Sequence, residues 1–317
     1  PPCFDVVLDR VGISPAVPVV TASTTDRAEE VSMKVRLATI QPRSGSGADE
    51  ARNASEALDW LDRAAAEGVD LVLFPEGYPG PVNPANRYDS LGPLAERAAK
   101  HGIHVVASRA SPLRDGHSVD LHLIDDRGRT VGVHRRTTPR GPYVYRDIPA
   151  WNFDYAESDD PPQVFETRFG RIGMLVCSEL YVPELSRLLM LQGADIILYP
   201  AGGAINELLP GWRTLVQARA IENLVYTAAC QNLYGDEEGV ATIAAPEGLL
   251  AQSAADGMLI AELDLDRLAF LRGEEERIEF PKRYATIPGL QRWRRPELYG
   301  ALAEPAHVPD EKKRIAE

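Results

Sequence analysis

Ile172-Gly173-Met174-Leu175-Val176-Cys177, followed by Ser178-Glu179-Leu180-Tyr181-Val182-Pro183-Glu184-Leu185-Ser186, is the stretch on which the reading of this chain turns. Residues 172–176 are an apolar run of strand length. The segment after Cys177 reads as a turn entering a helix, with Pro183 near its first position. A cysteine at such a junction faces the positive end of the helix, which favours thiolate, the nucleophilic form. A free cysteine is also among the most buried residue types and can be a small hydrophobe only. The rest of the chain decides between the two.

Outward from Cys177, strand and helix patterns alternate. Val35-Arg36-Leu37-Ala38-Thr39-Ile40 reads as a strand. Residues 48–67 carry apolar positions at helical spacing and end at Gly68, a normal helix stop. Val69 to Phe74 predicts a buried strand, Leu91 to Lys100 a helix and Ile103 to Ser108 another strand. Val119 to Ile124 and Thr130 to His134 are joined by Asp125-Asp126-Arg127-Gly128-Arg129, a hairpin signal. Residues 139–162 read as an aromatic loop. Ala194 to Tyr199 reads as a strand and Trp212 to Leu224 as a helix. Val225 to Ala229, Val240 to Ala244, Gly248 to Ala251 and Met258 to Leu263 complete the strands. A plain doubly wound parallel sheet would not hold so many hairpins, so the pattern predicts an α/β fold of two mixed sheets with helices outside.

The chain has 317 residues, a formal net charge of -13 and 44% hydrophobic residues. That supports a substantial core and argues against nonspecific binding to nucleic acid or an anionic membrane. Cys3, Cys177 and Cys230 are too few, and odd in number, for a disulfide framework, and they suit a reducing cytoplasm. No apolar run approaches the length of a membrane span. The six histidines show no metal-ligand spacing, and no Gly-rich nucleotide loop is present, so no cofactor and no metal are expected. Residues 1–32 lack periodicity and read as an extension before a native start at Met33, dispensable for the core. Residues 33–273 read as one catalytic domain. Residues 274–317 read as a tail on the surface or on a partner subunit.

Phe74-Pro75-Glu76-Gly77, Gly170-Arg171-Ile172-Gly173, the Cys177 segment, Arg219-Ala220-Ile221-Glu222-Asn223 and Arg295-Pro296-Glu297-Leu298-Tyr299 occur in this order. In that order and spacing they resemble the nitrilase superfamily of carbon–nitrogen hydrolases, in its amidase-like branch. The resemblance runs over roughly residues 34–300. It implies a four-layer α-β-β-α sandwich, a homodimer or larger assembly, and a site made of a Glu, a Lys and a Cys with a second Glu nearby. Glu76 matches the first Glu, after a buried strand where α/β sites form. Cys177 matches the nucleophile. Arg136, in His134-Arg135-Arg136-Thr137-Thr138-Pro139, stands where the family has its lysine. Arginine can face an oxyanion but cannot transfer a proton, so reduced activity is expected. Arg135 and Arg140 are the neighbouring alternatives. Glu157 is the candidate second Glu, with Asp154 or Asp159 also possible.

Cys177 would attack an amide or nitrile carbon while Glu76 takes the thiol proton and returns it to the leaving amine. The N–H of Ser178 or Glu179 would share the oxyanion with the cation. Tyr78, Ser178, Tyr181 and Ala201 are the expected substrate contacts, with Tyr143, Trp151 and Trp212 as further pocket walls. Glu179 and Glu222 are expected to be structural, bonding backbone around the cysteine turn. The first reading is hydrolysis of a small amide or N-carbamoyl compound. A nitrilase comes second, because family nitrilases tend to have Trp after the nucleophile where this chain has Ser178. A catalytically weak homologue that binds a ligand, motivated by Arg136, and acyl transfer to an amine complete the readings.

Overall fold

In the computed structural model, residues 33–82, 86–113, 116–138, 158–203, 209–273 and 281–304 are described. Among them are two six-stranded sheets. The first contains β1 (Lys34–Gln41), β2 (Leu71–Leu73), β3 (His104–Leu113), β4 (Gly116–Ile124), β5 (Thr130–Arg135) and β12 (Gly257–Asp264), in the order β12-β1-β2-β3-β4-β5. The second contains β6 (Val164–Thr167), β7 (Gly170–Met174), β8 (Ile196–Gly203), β9 (Tyr226–Asn232), β10 (Ala241–Ala245) and β11 (Gly248–Ser253), in the order β11-β10-β9-β8-β7-β6. Each sheet has a parallel centre, β1-β2-β3 in one and β7-β8-β9 in the other, flanked by antiparallel strands.

The strand β2 and residues 196–199 of β8 are continuously apolar because both faces are covered. On one face Val35, Leu37, Leu71 and Leu73 meet Ile172, Met174, Val176, Ile196 and Leu198 between the sheets. On the other face Ala38, Ile40, Val72 and Phe74 pack under α1 (Arg52–Ala66) and α2 (Leu91–His101), through Ala57, Leu61, Leu94 and Ala98. Leu175, Ile197 and Tyr199 pack under α3 (Pro183–Leu191) and α4 (Leu209–Asn223), with Leu189, Trp212 and Val216. The layers are therefore α-β-β-α, as the two-sheet reading expects.

Boundaries shift for local reasons. The first helix begins at Arg52, after a 3-10 turn at Gly47–Asp49, and not at Ala48. Gly102, at φ 68°, closes α2 in the left-handed conformation that glycine adopts without strain. The strand β6 and the short helix α5 (Leu265–Arg272) were not expected. Asp264 caps α5 by accepting from the Arg267 N–H at 2.8 Å. Of the tail, Leu290–Trp293, Pro296–Leu298 and Gly300–Ala303 form 3-10 turns. Residues 1–32 lie outside the described residues.

Candidate active site

Glu76, Arg136 and Cys177 come from three strand ends, β2, β5 and β7, and the structure brings them together. Glu76 is fixed by its backbone. Its N–H donates to the Ala201 carbonyl at 3.1 Å, and its carbonyl accepts from Asn232 Nδ2 at 2.7 Å. Glu76 is 7% exposed and Arg136 1% exposed. The guanidinium is spread over several acceptors. It donates to Glu76 Oε1 at 2.8 Å, to Ser178 Oγ at 2.5 Å and from Nε to the Thr138 carbonyl at 3.0 Å. Its charge also acts on the Cys177 thiol. Burial alone would lower the Arg136 pKa, but the charges of Glu76, Cys177 and Glu179 hold it above the ordinary value, so the cation is permanent.

Cys177 is partly buried and holds a positive φ of 48°, an uncommon backbone for a residue with a side chain. The Arg136 guanidinium and the Gly202 N–H both act on its sulfur in the direction of thiolate. The expectation of a helix-favoured thiolate is corrected here. Residues Cys177–Tyr181 form a 3-10 turn and α3 starts at Pro183, where the sequence reading places it; the environment of the sulfur is what differs. Burial, and then the charge of Glu76, push the Cys177 thiol above its ordinary value, against the opposing pull of Arg136 and the Gly202 N–H. The resting group is a thiol beside a carboxylate, an arrangement that requires a base.

Gly202 escaped sequence reasoning. Its N–H meets the Cys177 sulfur, and a Cβ at this position would lie 3.2 Å from Glu76 Oε2. Any side chain here would crowd the carboxylate, so a small residue at the end of β8 is the signal that could have found it.

Glu179 is fully buried. Its Oε2 accepts from the Val176 N–H at 2.6 Å and lies 2.7 Å from His134 Nε2. Its Oε1 accepts from the Thr137 N–H at 2.7 Å and from Thr137 Oγ1 at 2.6 Å. Burial works against this charge, yet the bonds from His134, Thr137 and Val176 hold the carboxyl below its ordinary range. A carboxyl depressed in the folded state stabilises the fold above the unfolded value, near 4.5, and loses that contribution as pH falls through the lower folded value. Denaturant unfolding followed from pH 7 to pH 3 should therefore show an acid-side loss in the wild type that is smaller in Glu179→Gln. Equal acid slopes would contradict the assignment.

The other expected residues divide. Ser178 lies in the site as the acceptor for Arg136. Tyr181 is 42% exposed, feels the Cys177 charge and meets the Trp212 ring at 6.1 Å, a position at the rim. Tyr78 is a correction. It has no exposed surface and packs against Phe74 at 5.4 Å in the core beneath α1 and α2, so it presents no face to a substrate. Ala201 is also corrected. It is 1% exposed, its side chain belongs to the core under α3 and α4, and its carbonyl serves the Glu76 N–H. Arg135 points away from the triad to Asp120 at 3.2 Å. Asp159 is exposed. Glu157, Asp154, Arg140, Tyr143 and Trp151 lie outside the described residues. Ser158, which follows Glu157, donates its N–H to the Arg136 carbonyl at 2.8 Å. The Glu179 N–H is bonded to the Val176 carbonyl at 2.9 Å, so of the two backbone donors expected at the oxyanion this one is engaged within the turn. At the far side of the turn, Arg219 Nε donates to the Leu180 carbonyl at 3.1 Å, and Glu222 holds Arg219 at 2.8 Å. Glu222 thus supports the cysteine turn through Arg219 and does not bond it directly.

Two facing mixed sheets thus bring a cysteine, a carboxylate and a cation together at their strand ends. The chain belongs to the carbon–nitrogen hydrolase family, whose model matches residues 36–272. Within it, the chain is an enzyme of the nitrilase superfamily's amidase-like branch, with a cysteine nucleophile. It is 25% identical over 289 residues to N-carbamoylputrescine amidase of Arabidopsis thaliana, covering 80% of this chain and 91% of that protein. It is 28% identical over 242 residues to deaminated glutathione amidase of Synechocystis, covering 69% and 89%. A solved variant of the amidase from Nesterenkonia sp. AN1, 25% identical with a TM-score of 0.64, covers 74% of this chain and 95% of its own. That variant carries the result of Michael addition of acrylamide at its active-site cysteine. A carbon–nitrogen hydrolase from Helicobacter pylori G27 shares the fold at 19% identity, with a TM-score of 0.69 over 86% of this chain and 99% of its own.

Proposed function

We propose that this protein hydrolyses the C–N bond of a small linear amide or N-carbamoyl compound through a thioester on Cys177. The observation that carries the proposal is the Arg136 guanidinium bonded at once to Glu76 and to Ser178, the residue after Cys177, with its charge acting on the Cys177 thiol. Glu76 removes the thiol proton as sulfur attacks the carbonyl carbon, and the π pair moves to oxygen. Arg136 and the Ser178 N–H face that oxygen. Collapse breaks the C–N bond, and the proton on Glu76 leaves with the amine. Glu76 then deprotonates a water that cleaves the thioester, returning the proton to sulfur and releasing the acid. Arginine keeps its proton throughout, so all proton traffic falls to Glu76 and turnover is slow. No step is assigned to Glu157.

The substrate class is supported by relatives named as amidases of N-carbamoylputrescine and deaminated glutathione, and by an omega-amidase of Saccharomyces cerevisiae. The test is ammonia release from a panel of N-carbamoyl amines, ω-amides, simple amides and nitriles. Release that disappears in Cys177→Ala supports the reading. Adduct-free Cys177 and no release across the panel would favour the second reading, a ligand-binding homologue, which the fully engaged Arg136 motivates.

The same reading includes a homodimer or larger assembly. Leu188 and Leu191 on α3, Ile221 on α4, and Trp293, Leu298 and Leu302 in the tail are large apolar side chains left exposed. Of these, Leu188, Leu191 and Leu302 line one open groove with Pro183, Pro296 and Tyr299, an apolar surface of the kind that covers itself by association. Light scattering at micromolar concentration should give at least twice the chain mass, and a monomer mass would contradict this.

A further inference from the structure

Resting on that reading, we infer that Glu179 is a positioning residue that holds the Arg136 cation against Cys177 by clasping both strand ends, with His134 and Thr137 as its grips on the cation side. Three features argue for it. First, Glu179 reaches the residue before the nucleophile, through the Val176 N–H, and the residue after the cation, through both donors of Thr137. Second, His134 and Arg136 lie two residues apart at the end of β5, so the His134 contact fixes the same segment again. A carboxylate accepts only, so His134 Nε2 carries the proton that it donates. Third, β5 and β7 belong to different sheets, so their ends do not share a ladder of backbone hydrogen bonds that would set the distance between cation and sulfur. The carboxylate of Glu179 supplies that distance. Glu179 does not touch the reacting atoms in this account. It acts through Arg136, and through the backbone turn that holds Cys177 at its positive φ.

A misplacement of about 1 Å in such a group costs roughly a hundredfold in rate. The expected effect is therefore a ten- to hundredfold loss for Glu179→Gln, whose amide must turn donors toward donors, and a smaller loss for Thr137→Val. His134→Gln, which keeps an N–H near the same place, should retain more activity than His134→Leu.

The test is a double-mutant cycle on the full chain. Each substitution is made alone and in an Arg136→Ala background. One readout is the rate at which iodoacetamide alkylates Cys177, followed by mass on the Cys177 peptide, which needs no substrate. The others are kcat and KM on the best amide and the melting temperature. If Glu179 acts through Arg136, its variants slow alkylation and lower kcat with little change in KM, and both effects largely vanish once Arg136 is alanine. Equal losses in both backgrounds, or losses that follow melting temperature alone, would overturn the proposal. Should Glu179→Gln fail to fold, Thr137→Val and the His134 pair decide the same question. A wild-type chain that turns over nothing, while alkylation still follows the cycle, would sink the amidase reading and leave this proposal standing.

Discussion

Replacing Arg136 with alanine lowers the rate of Cys177 acylation by about two to three orders of magnitude, the usual cost of removing one oxyanion donor. The loss has two parts. The oxyanion loses its cation, and the thiol loses the charge that opposes burial, so its pKa rises further from working pH. Glu76 is also left buried without its partner at 2.8 Å, which should cost stability. Stopped assays with amide substrate, together with melting curves, separate these effects. The lysine variant is where the structure changes the expectation. At the sequence level, a family lysine restored at position 136 should be faster. The guanidinium, however, serves Glu76, Ser178 and the Thr138 carbonyl at once, and an ammonium cannot span that fork. Arg136→Lys should therefore fall between wild type and Arg136→Ala. Equal rates for all three would mean that the cation comes from elsewhere.

Glu76→Gln should separate two properties that usually move together. On the proposed mechanism turnover falls by about two to four orders of magnitude, because Glu76 is the proposed base. Alkylation of Cys177 by iodoacetamide at neutral pH becomes faster, because the neighbouring negative charge that raises the thiol pKa has been removed. The sign follows from linkage: less repulsion favours thiolate, and thiolate is the form that reacts. The pH midpoint of alkylation should move down in Glu76→Gln and up in Arg136→Ala. A midpoint that does not move in either variant would break the electrostatic account of the site.

How much of this was legible depends on the residue. The strands around Cys177 were readable because burial on both faces makes a run continuously apolar, and Ile172, Met174 and Val176 on one face with Leu175 on the other show that directly. Glu76 and Cys177 stand in short strings after such runs, and the structure brings the two together with Arg136. Other features were not legible in this way. The helix start at Pro183 was readable, but the direction of the Cys177 shift depends on burial and on the charge of Glu76 beyond the end of β2, neither of which is written in the local sequence. Tyr78 sits beside the site in sequence, but its side chain turns into the core under α1, a choice made by the loop and not by residue type. His134 looked like a strand residue with no metal spacing. Its meaning comes from Glu179, 45 residues later in the turn that follows β7 of the other sheet. Gly202 and Asn232 act through backbone contacts, which residue type alone does not announce.

The central claim is a thioester on Cys177, and rapid-quench intact mass with peptide mapping tests it most directly. The full chain is mixed with the amide or N-carbamoyl compound that releases ammonia fastest and stopped in acid within the first turnover. The account predicts a mass increase equal to the acyl group, located on the Cys177 peptide and absent from Cys177→Ala. Ammonia release at an undiminished rate from Cys177→Ala, or an acyl group located on a different residue, would contradict it.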